Sequence, residues 1–225
     1  MLLNLHTHLL KKQANEQIIF NEIIPDSEEG LENFSLQGTD NWLSAGIHPW
    51  YINEQLYNLQ LKKLAGIAQD PAIKFIGECG LDRLKGAPLP LQEEIFIKQI
   101  RIAEDLKKPV IIHCVKCYNE LLSIKKIVRP RVPMIVHGFN TKIEIARQLI
   151  DKGFYLSLGG ALLHEESNAL KVLKEIPLER LFLETDDKDI SIIAIYQKAA
   201  EVRGLSMEEL EKIIFDNYLG LVGNV

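Results

Sequence analysis

The sequence predicts one α/β domain over residues 1–225, a single parallel (β/α)8 barrel of the TIM type, distorted and with reduced first β/α units. Three observations predict this fold. Eight short apolar runs alternate with longer amphipathic segments. The runs are apolar throughout, which is typical of strands buried on both faces. Five of the six histidines stand at or just beyond the end of such a run, where the active sites of parallel barrels lie.

The composition indicates an ordinary globular protein, with 47% hydrophobic and 25% charged residues in 225. The net charge of −5 argues against adhesion to nucleic acid or to a membrane through a basic face. A phosphate substrate is still possible, because metal ions supply positive charge locally. We expect no signal peptide, no membrane association and no obligate protein partner. Three cysteines make no disulfide framework, which predicts a cytoplasmic protein.

The apolar runs place the expected strands at residues 2–6, 17–24, 42–47, 74–78, 110–113, 134–137, 154–157 and 181–184. Two early connections are reduced. The first, residues 9–16, is too short for a crossover helix, and the second, residues 25–41, holds at most a short helix. An open doubly wound sheet is the alternative fold, but it needs a glycine-rich phosphate turn after its first strand, and this sequence lacks that turn.

Helix signals follow the later strands. Residues 92–106 carry an apolar face at helical spacing. The sequence TKIE at 141–144 predicts a capping box that opens a helix, and Gly153 is placed to end that helix. A second capping box, SMEE at 206–209, predicts the start of the last helix.

Polar residues at the strand ends form the candidate site. They are His6, His8, His48, His113 and His137, with Glu78 at the end of strand four and Asp186 two residues beyond strand eight. A single histidine at a strand end is more often a hydrogen-bonded core or rim residue than a ligand. Five histidines at the same position favour a metal site, because all these strand ends open on one face of a parallel barrel. The sixth histidine, His164, is expected on the surface.

The ligand types indicate a transition metal such as Zn²⁺ or Mn²⁺ rather than an all-oxygen site. Four histidines and two carboxylates exceed what one tetrahedral zinc needs, so two ions are expected. His6 and His8 leave their strand on the same side and can bind one ion. His113 and His137, from neighbouring strands, can bind the other ion, and Glu78 is placed to bridge the two ions.

A resemblance to a known family runs along the chain. Its motifs are HTHL at 6–9, AGIHPW at 45–50, IGECGLD at 76–82, FIKQIRIAEDLKKPVIIH at 96–113, VHGFN at 136–140, LFLETDD at 181–187 and DNYLGLVG at 216–223. In this order the motifs resemble the TatD family of metal-dependent hydrolases, which is one of the amidohydrolase-like barrels. A single motif is a weak signal, whereas the ordered set is specific.

The resemblance implies a hydrolase that cleaves phosphodiester bonds, a deoxyribonuclease of the exonuclease type, with DNA as substrate rather than stable partner. The implied cofactors are two divalent ions, which can be zinc, manganese or magnesium. The implied ligands are His6, His8 and Asp186 for one ion and His113 and His137 for the other, with Glu78 as the bridge. Glu78 and Asp186 are then catalytic, and Asp186 accepts a proton from a water whose pKa the ions lower.

Several positions depart from the family pattern, among them Asp187 and Lys188, where the last motif has Ala-Pro. Asn4 stands where the first motif has an aspartate, and Trp50 replaces a histidine that contacts substrate. Val115 replaces an arginine, so a bidentate phosphate contact is lost and the adjacent Lys116 offers only a point charge. The expected substrate-binding residues are His48, Trp50 and Lys116, with Trp50 either stacking on a base or packing at the rim.

Three functions are compatible with these residues. The first is a two-metal phosphodiesterase that acts on DNA. The second is a related barrel hydrolase that acts on another phosphoester or on a cyclic amide, which the altered residues around the ions favour. The third is a catalytically weakened metal-binding protein. The pair Cys114 and Cys117 suggests a CxxC motif, but no further zinc ligands accompany it.

Overall fold

The computed structural model describes residues 1–38 and 40–223. All eight predicted strands are present: β1 (Leu2–Thr7), β2 (Glu16–Ile23), β3 (Trp42–Gly46), β4 (Ile73–Asp82), β5 (Val110–Val115), β6 (Met134–Val136), β7 (Tyr155–Leu158) and β8 (Leu181–Leu183). Their order in the sheet follows their order in the chain. This order is the one expected of a parallel α/β barrel.

Eight α-helices lie in the described part of the chain: α1 (Glu28–Asn33), α2 (Tyr57–Ile67), α3 (Leu89–Asp105), α4 (Tyr118–Val128), α5 (Ile143–Asp151), α6 (Asn168–Glu175), α7 (Ile192–Arg203) and α8 (Met207–Gly223). The reduced first units are confirmed, since residues 8–15 contain no helix and the second connection holds only the short α1. None of the described helices is long and apolar enough to cross a membrane.

The fourth strand differs from its prediction. The sequence placed its end at Glu78, which is wrong, because β4 continues to Asp82. The added residues stay in the sheet because they pair with the end of β5, up to Asp82 opposite Val115. Gly80 makes this pairing possible: a Cβ on it would lie 2.1 Å from the carbonyl oxygen of His113. Glu78 and Asp82 therefore project from the same face of one strand.

The two predicted capping boxes have different outcomes. The box before α8 is confirmed, because the Ser206 hydroxyl accepts from the Glu209 amide while the Glu209 carboxylate accepts from the Ser206 amide. The box at residues 141–144 is wrong. Helix α5 begins at Ile143, and Lys142 before it gives no side-chain cap. Gly153 follows α5 with φ +81°, as predicted for a glycine that ends a helix.

The described residues form two compact units, and the first comprises residues 1–20 together with residues 135–223. In it, β1 pairs in parallel with β2, and β6, β7 and β8 pair in chain order. A bridge joins Thr7 at the end of β1 to Asp186 beyond β8. The hydroxyl of the buried Tyr196, on α7, donates to the Leu3 carbonyl and accepts from the Leu3 amide. This pair of bonds fixes α7 against β1.

The second unit comprises residues 21–134 and contains β3, β4 and β5 as parallel neighbours. Helix α3 buries one face, as its sequence pattern predicts. The buried Gln99 on that face donates from Nε2 to the Ile47 carbonyl and accepts at Oε1 from the Ile47 amide. These bonds satisfy the backbone beyond β3 and fix the position of the next residue, His48. The single domain over residues 1–225 stays a prediction, and residues 39, 224 and 225 lie outside the described part.

Candidate metal centre

The first unit contains a group of three potential ligands, His6, His8 and Asp186. The Nε2 atoms of His6 and His8 each lie 3.7 Å from the same Asp186 oxygen, Oδ1. The two rings are nearly perpendicular, with centroids 4.9 Å apart. Two atoms that ligate one ion at about 2.1 Å in tetrahedral geometry are separated by about 3.4 Å. The donor spacing therefore fits a shared ion better than a direct hydrogen bond.

Asp186 is held in place by the backbone of β1. Its amide donates to the His6 carbonyl at 3.0 Å, and its own carbonyl accepts from the His8 amide at 3.1 Å. The Thr7 hydroxyl also donates to the Asp186 carbonyl. Asp186 has φ +57°, a conformation that side-chain-bearing residues rarely adopt. Such a conformation persists only where surrounding contacts impose it, as these bonds do.

Asn4 contributes to the same segment through Thr185. Its Oδ1 accepts from the Thr185 amide at 3.0 Å, and its Nδ2 donates to Thr185 Oγ1 at 2.9 Å and to Glu16 Oε1 at 3.0 Å. Asn4 is 2% exposed, so these partners satisfy a buried amide. Asn4, which stands where the family pattern has an aspartate, thus provides an amide at a position where the side chain both accepts and donates hydrogen bonds.

His137 and Glu184 also belong to the first unit, where they lie next to His6. The His137 ring is 4.3 Å from the His6 ring, and its Nδ1 is 3.3 Å from Glu184 Oε1. The same carboxylate oxygen accepts from the Gly138 amide at 2.6 Å. Burial acts to raise the pKa of Glu184, but the charges and hydrogen bonds of the neighbouring histidines and Ser157 hold it below the usual value. A buried carboxylate needs such hydrogen-bond partners or a nearby cation.

The second unit contains a second group of potential ligands, His48, Glu78 and His113. His113 Nδ1 is 2.8 Å from Glu78 Oε1, and His48 Nε2 is 3.2 Å from the same oxygen. All three residues are buried or nearly so. Glu78 follows a cis peptide bond with Gly77, and its amide donates to the side chain of Asn21 at 2.7 Å. The Glu78 carboxylate oxygen is thus within hydrogen-bond distance of both imidazoles.

Asp82 orients His113 from the other side of the ring. Its Oδ2 lies 3.1 Å from His113 Nε2 and accepts from Trp50 Nε1 at 2.7 Å. Burial acts to raise the pKa of Asp82, but hydrogen bonds from Trp50, the Leu84 amide and His113 hold it below the usual carboxyl value. The His113 ring thus lies between two carboxylates, Glu78 at Nδ1 and Asp82 at Nε2, which fix its orientation.

Both groups fit a divalent transition ion by the chemistry of their donors. Each combines imidazole nitrogens with a carboxylate oxygen, and in each group these atoms lie within 4.8 Å of one another. Glu78, the carboxylate of the second group, is only 3% exposed. Buried carboxylates need compensating positive charge, which a bound ion supplies.

The structure brings together most of the predicted residues within each unit. His6, His8 and Asp186 form one group, and Glu78 and His113 belong to the other. The pairing of His113 with His137 around one ion stays a prediction. His48, which the sequence analysis assigned to substrate, lies 3.2 Å from Glu78 and belongs to the second group of potential ligands, and its role in substrate binding stays a prediction.

The other two predicted substrate-binding residues have different surroundings. Trp50 is 38% exposed and is anchored through its Nε1 to Asp82. Lys116 is exposed, and its carbonyl accepts from Arg83. Substrate binding by these residues stays a prediction. Burial raises the pKa of both Cys114 and Cys117, so these thiols lack the character of a reactive CxxC pair.

Two site residues were missed by the sequence analysis, Asp82 and Glu184. The signal for Asp82 was its spacing of four from Glu78, which in an uninterrupted strand places both side chains on one face. The signal for Glu184 was its position as the last residue of the predicted eighth strand, next to Thr185 and Asp186.

Comparison with known proteins gives a consistent result. Residues 10–223 match the family described as TatD related DNase. A relative from Citrobacter koseri named 3'-5' ssDNA/RNA exonuclease TatD is 32% identical over 149 residues, which cover 64% of this chain and 57% of the relative. Deoxyribonuclease Tat-D from Schizosaccharomyces pombe is 31% identical over 187 residues, which cover 77% of this chain and 59% of the relative. The matches thus span less than two thirds of the length of these two relatives.

The fold is shared with solved structures. The crystal structure of YjjV, a TatD homologue from Escherichia coli K12, superimposes with a TM-score of 0.82 at 19% identity and covers 99% of this chain and 98% of that one. This likeness confirms the (β/α)8 barrel predicted from the sequence. Because the family match extends over nearly the whole chain, the protein belongs to the TatD-related DNase family.

Proposed function

We propose that this protein is a metal-dependent phosphodiesterase that acts on DNA as an exonuclease-type deoxyribonuclease. The observation that carries the proposal is the presence of two groups of imidazole and carboxylate ligands, His6–His8–Asp186 and His48–Glu78–His113. The names of the relatives from Citrobacter koseri and Schizosaccharomyces pombe, an exonuclease and a deoxyribonuclease, support the same activity. The implied cofactors are two divalent ions, zinc, manganese or magnesium.

The side chains divide the work as follows. His6, His8 and Asp186 hold one ion, and His113 and Glu78 contribute to holding the other, together with the predicted ligand His137. When bound there, divalent ions would supply Lewis acidity to activate a water and positive charge for the phosphate oxygens. Asp186 is partly exposed and accepts the proton that the attacking water loses. Asp82 holds the ring of His113 in orientation, and Asn4 keeps the Asp186 segment in place.

Elemental analysis tests the metal part of this proposal. Protein purified without chelator and then saturated with Zn²⁺ or Mn²⁺ is expected to retain close to two ions per chain after desalting. Retention of fewer than about one ion per chain would contradict the two-ion assignment. Substituting His8→Ala is expected to lower the retained metal, because it removes one of the imidazoles that share the Asp186 oxygen.

A nuclease assay with a matched control tests the reaction. End-labelled single-stranded and double-stranded DNA is incubated with Mn²⁺ or Mg²⁺ and native protein, Glu78→Gln or Glu94→Gln. Loss of a ligating carboxylate is expected to lower the rate more than about a hundredfold. Glu94 is an exposed carboxylate of the same unit, paired with Lys98 on α3, so its variant should cleave at the native rate. Equal slow cleavage by native protein and Glu78→Gln would refute the nuclease assignment.

A second candidate is hydrolysis of another phosphoester with the same ligands. The observation that favours it is the altered surroundings of the ions, with Trp50 and Val115 at positions that carry histidine and arginine in the family pattern. A small chromogenic phosphodiester tested beside DNA separates the two candidates by their ratio of kcat/KM. The cyclic-amide alternative is less favoured, because Glu78 occupies the expected bridging position. The expected location is the cytoplasm, which the three free cysteines support.

A further inference from the structure

Lys85 lies over the indole of Trp50, beside the second group of ligands. Its Nζ is 3.7 Å from the centroid of the Trp50 ring. The same ring stands 4.8 Å from the ring of His48 and 5.7 Å from that of His113, centroid to centroid. An ammonium over an indole face is held by cation–π attraction. The lysine charge is thus placed next to residues proposed to hold an ion.

The loop that carries Lys85, residues 83–88, is fixed by several contacts. Gln92, which is 1% exposed, donates from Nε2 to the carbonyls of Lys85 at 3.3 Å and Ala87 at 2.6 Å. Gly86 has φ +96°, and a Cβ there would lie 2.2 Å from the carbonyl oxygen of Pro49. Only glycine allows the loop to pack this closely on the turn that carries Trp50. The backbone position of Lys85 is therefore set by the contacts with Gln92 and Pro49.

The charge of Lys85 is available to an anion. Arg83, the neighbouring cation of the loop, is paired with Glu120 at 2.5 Å. No carboxylate among residues 1–38 and 40–223 forms an ion pair with Lys85. In a chain with net charge −5, an uncompensated cation held beside buried histidines is a strong local attraction for an anion. The Trp50 indole keeps that cation in position without neutralising it.

We propose that Lys85, held on Trp50, binds a phosphate oxygen of the substrate next to His48, Glu78 and His113. Lys85 supplies the positive charge that is lost where Val115 replaces the arginine of the family pattern. Trp50 holds this lysine in position and does not stack on a base. The ligand class is a phosphodiester, bound through its non-bridging oxygen to a single ammonium. This inference rests on the proposed function for its substrate, although its anion site can be tested without any reaction.

Anion binding by metal-free protein provides that test. In EDTA and at low salt, inorganic phosphate and a single-stranded oligodeoxynucleotide are titrated separately while the fluorescence of Trp50 is followed in a Trp42→Phe background. Lys85→Gln keeps the first two methylenes of the side chain but removes the charge, and it is expected to weaken binding of either probe about three- to tenfold. Lys85→Arg should stay within about twofold of native affinity, because it keeps the cation and its contact with the ring.

Lys63 supplies the matched control. Its Nζ also lies over an aromatic ring, 5.7 Å from the centroid of Phe34, but it is on α2. Lys63→Gln should bind phosphate and oligonucleotide as native protein does. Equal affinities of native protein and Lys85→Gln for both probes would overturn the inference. Thermal unfolding of each variant identifies a protein that has lost its fold. If Lys85→Gln is such a protein, the anion affinity of Lys85→Arg decides whether the positive charge at position 85 is responsible for binding.

Turnover measurements separate this inference from the proposed function. If native protein cleaves DNA, Lys85→Gln is expected to raise KM about three- to tenfold, with a smaller change in kcat, because the contact is made in the bound substrate as well as in the transition state. If native protein cleaves no DNA while the lysine variants still differ in phosphate affinity, the nuclease proposal fails and the anion site stands. Loss of kcat alone in Lys85→Gln would contradict a binding role.

Discussion

Replacing Asn4 by aspartate, the residue of the family pattern, is expected to destabilise this protein. Asn4 Nδ2 lies 3.0 Å from Glu16 Oε1, so Asn4→Asp turns a hydrogen bond into a contact between two carboxylates. At that distance and at an effective dielectric constant of about 20, two unit charges repel by about 5–6 kcal/mol. Glu16 is partly exposed, and its movement towards solvent relieves much of this repulsion. The bond from Nδ2 to Thr185 Oγ1 is also lost.

We therefore expect a loss of about 2–4 kcal/mol in the free energy of unfolding for Asn4→Asp, measured by urea denaturation. Glu16→Gln alone should cost about 1–2 kcal/mol, because its single oxygen can accept from Asn4 or from the Gln13 amide but not from both. In the double variant the new glutamine amide can donate to the new carboxylate at position 4, so most of the loss should be recovered. Native protein, the two single variants and the double variant form a double-mutant cycle, from which a coupling energy of at least about 1.5 kcal/mol between residues 4 and 16 is expected.

Additive losses in this cycle would show that the contact between residues 4 and 16 does not explain why an amide stands here. Zinc affinity provides a second measurement on the same proteins. Because Asn4 holds Thr185, the residue before Asp186, Asn4→Asp should also weaken zinc binding about tenfold or more, with recovery in the double variant. Native zinc affinity in a destabilised Asn4→Asp protein would contradict the proposed role of Asn4 in positioning Asp186.

Three further predictions concern buried polar contacts. Tyr196→Phe leaves the backbone of Leu3 without its side-chain partner and should lower the free energy of unfolding by about 1–3 kcal/mol in urea. Gln92→Leu removes the amide that holds the loop over Trp50, so it should cost about 2–4 kcal/mol; native stability and native phosphate affinity in this variant would be inconsistent with a fixed loop. Burial acts to raise the pKa of Glu104, but a backbone amide and the neighbouring arginines hold this pKa below its usual value. The stability that Glu104 contributes is therefore present above the carboxyl pKa of the unfolded chain, and it is lost as the pH falls through the lower pKa of the folded protein. Stability curves from pH 7 to pH 2 should therefore fall less steeply for Glu104→Gln than for native protein.

The eight strands and their alternation with helices could be read from the sequence because they depend on local properties. A run of apolar residues buried on both faces and an amphipathic segment at helical spacing carry their own signal. The capping box of α8 and the glycine after α5 are local in the same sense, and both are present. The box at residues 141–144 shows the limit, since Lys142 precedes the first turn of α5 and the motif is displaced from it.

The candidate ligands could also be predicted, because a strand end in a parallel barrel fixes where a side chain points before any contact is known. The sequence indicated six candidate ligands and the family they resemble, but it indicated neither Asp82 nor Glu184. Their partners were decided by tertiary structure. Asp82 beside His113 depends on four extra residues of pairing between β4 and β5, and Lys85 over Trp50 depends on a loop packed against a distant turn. Such contacts join residues far apart in sequence, and no local pattern encodes their distances.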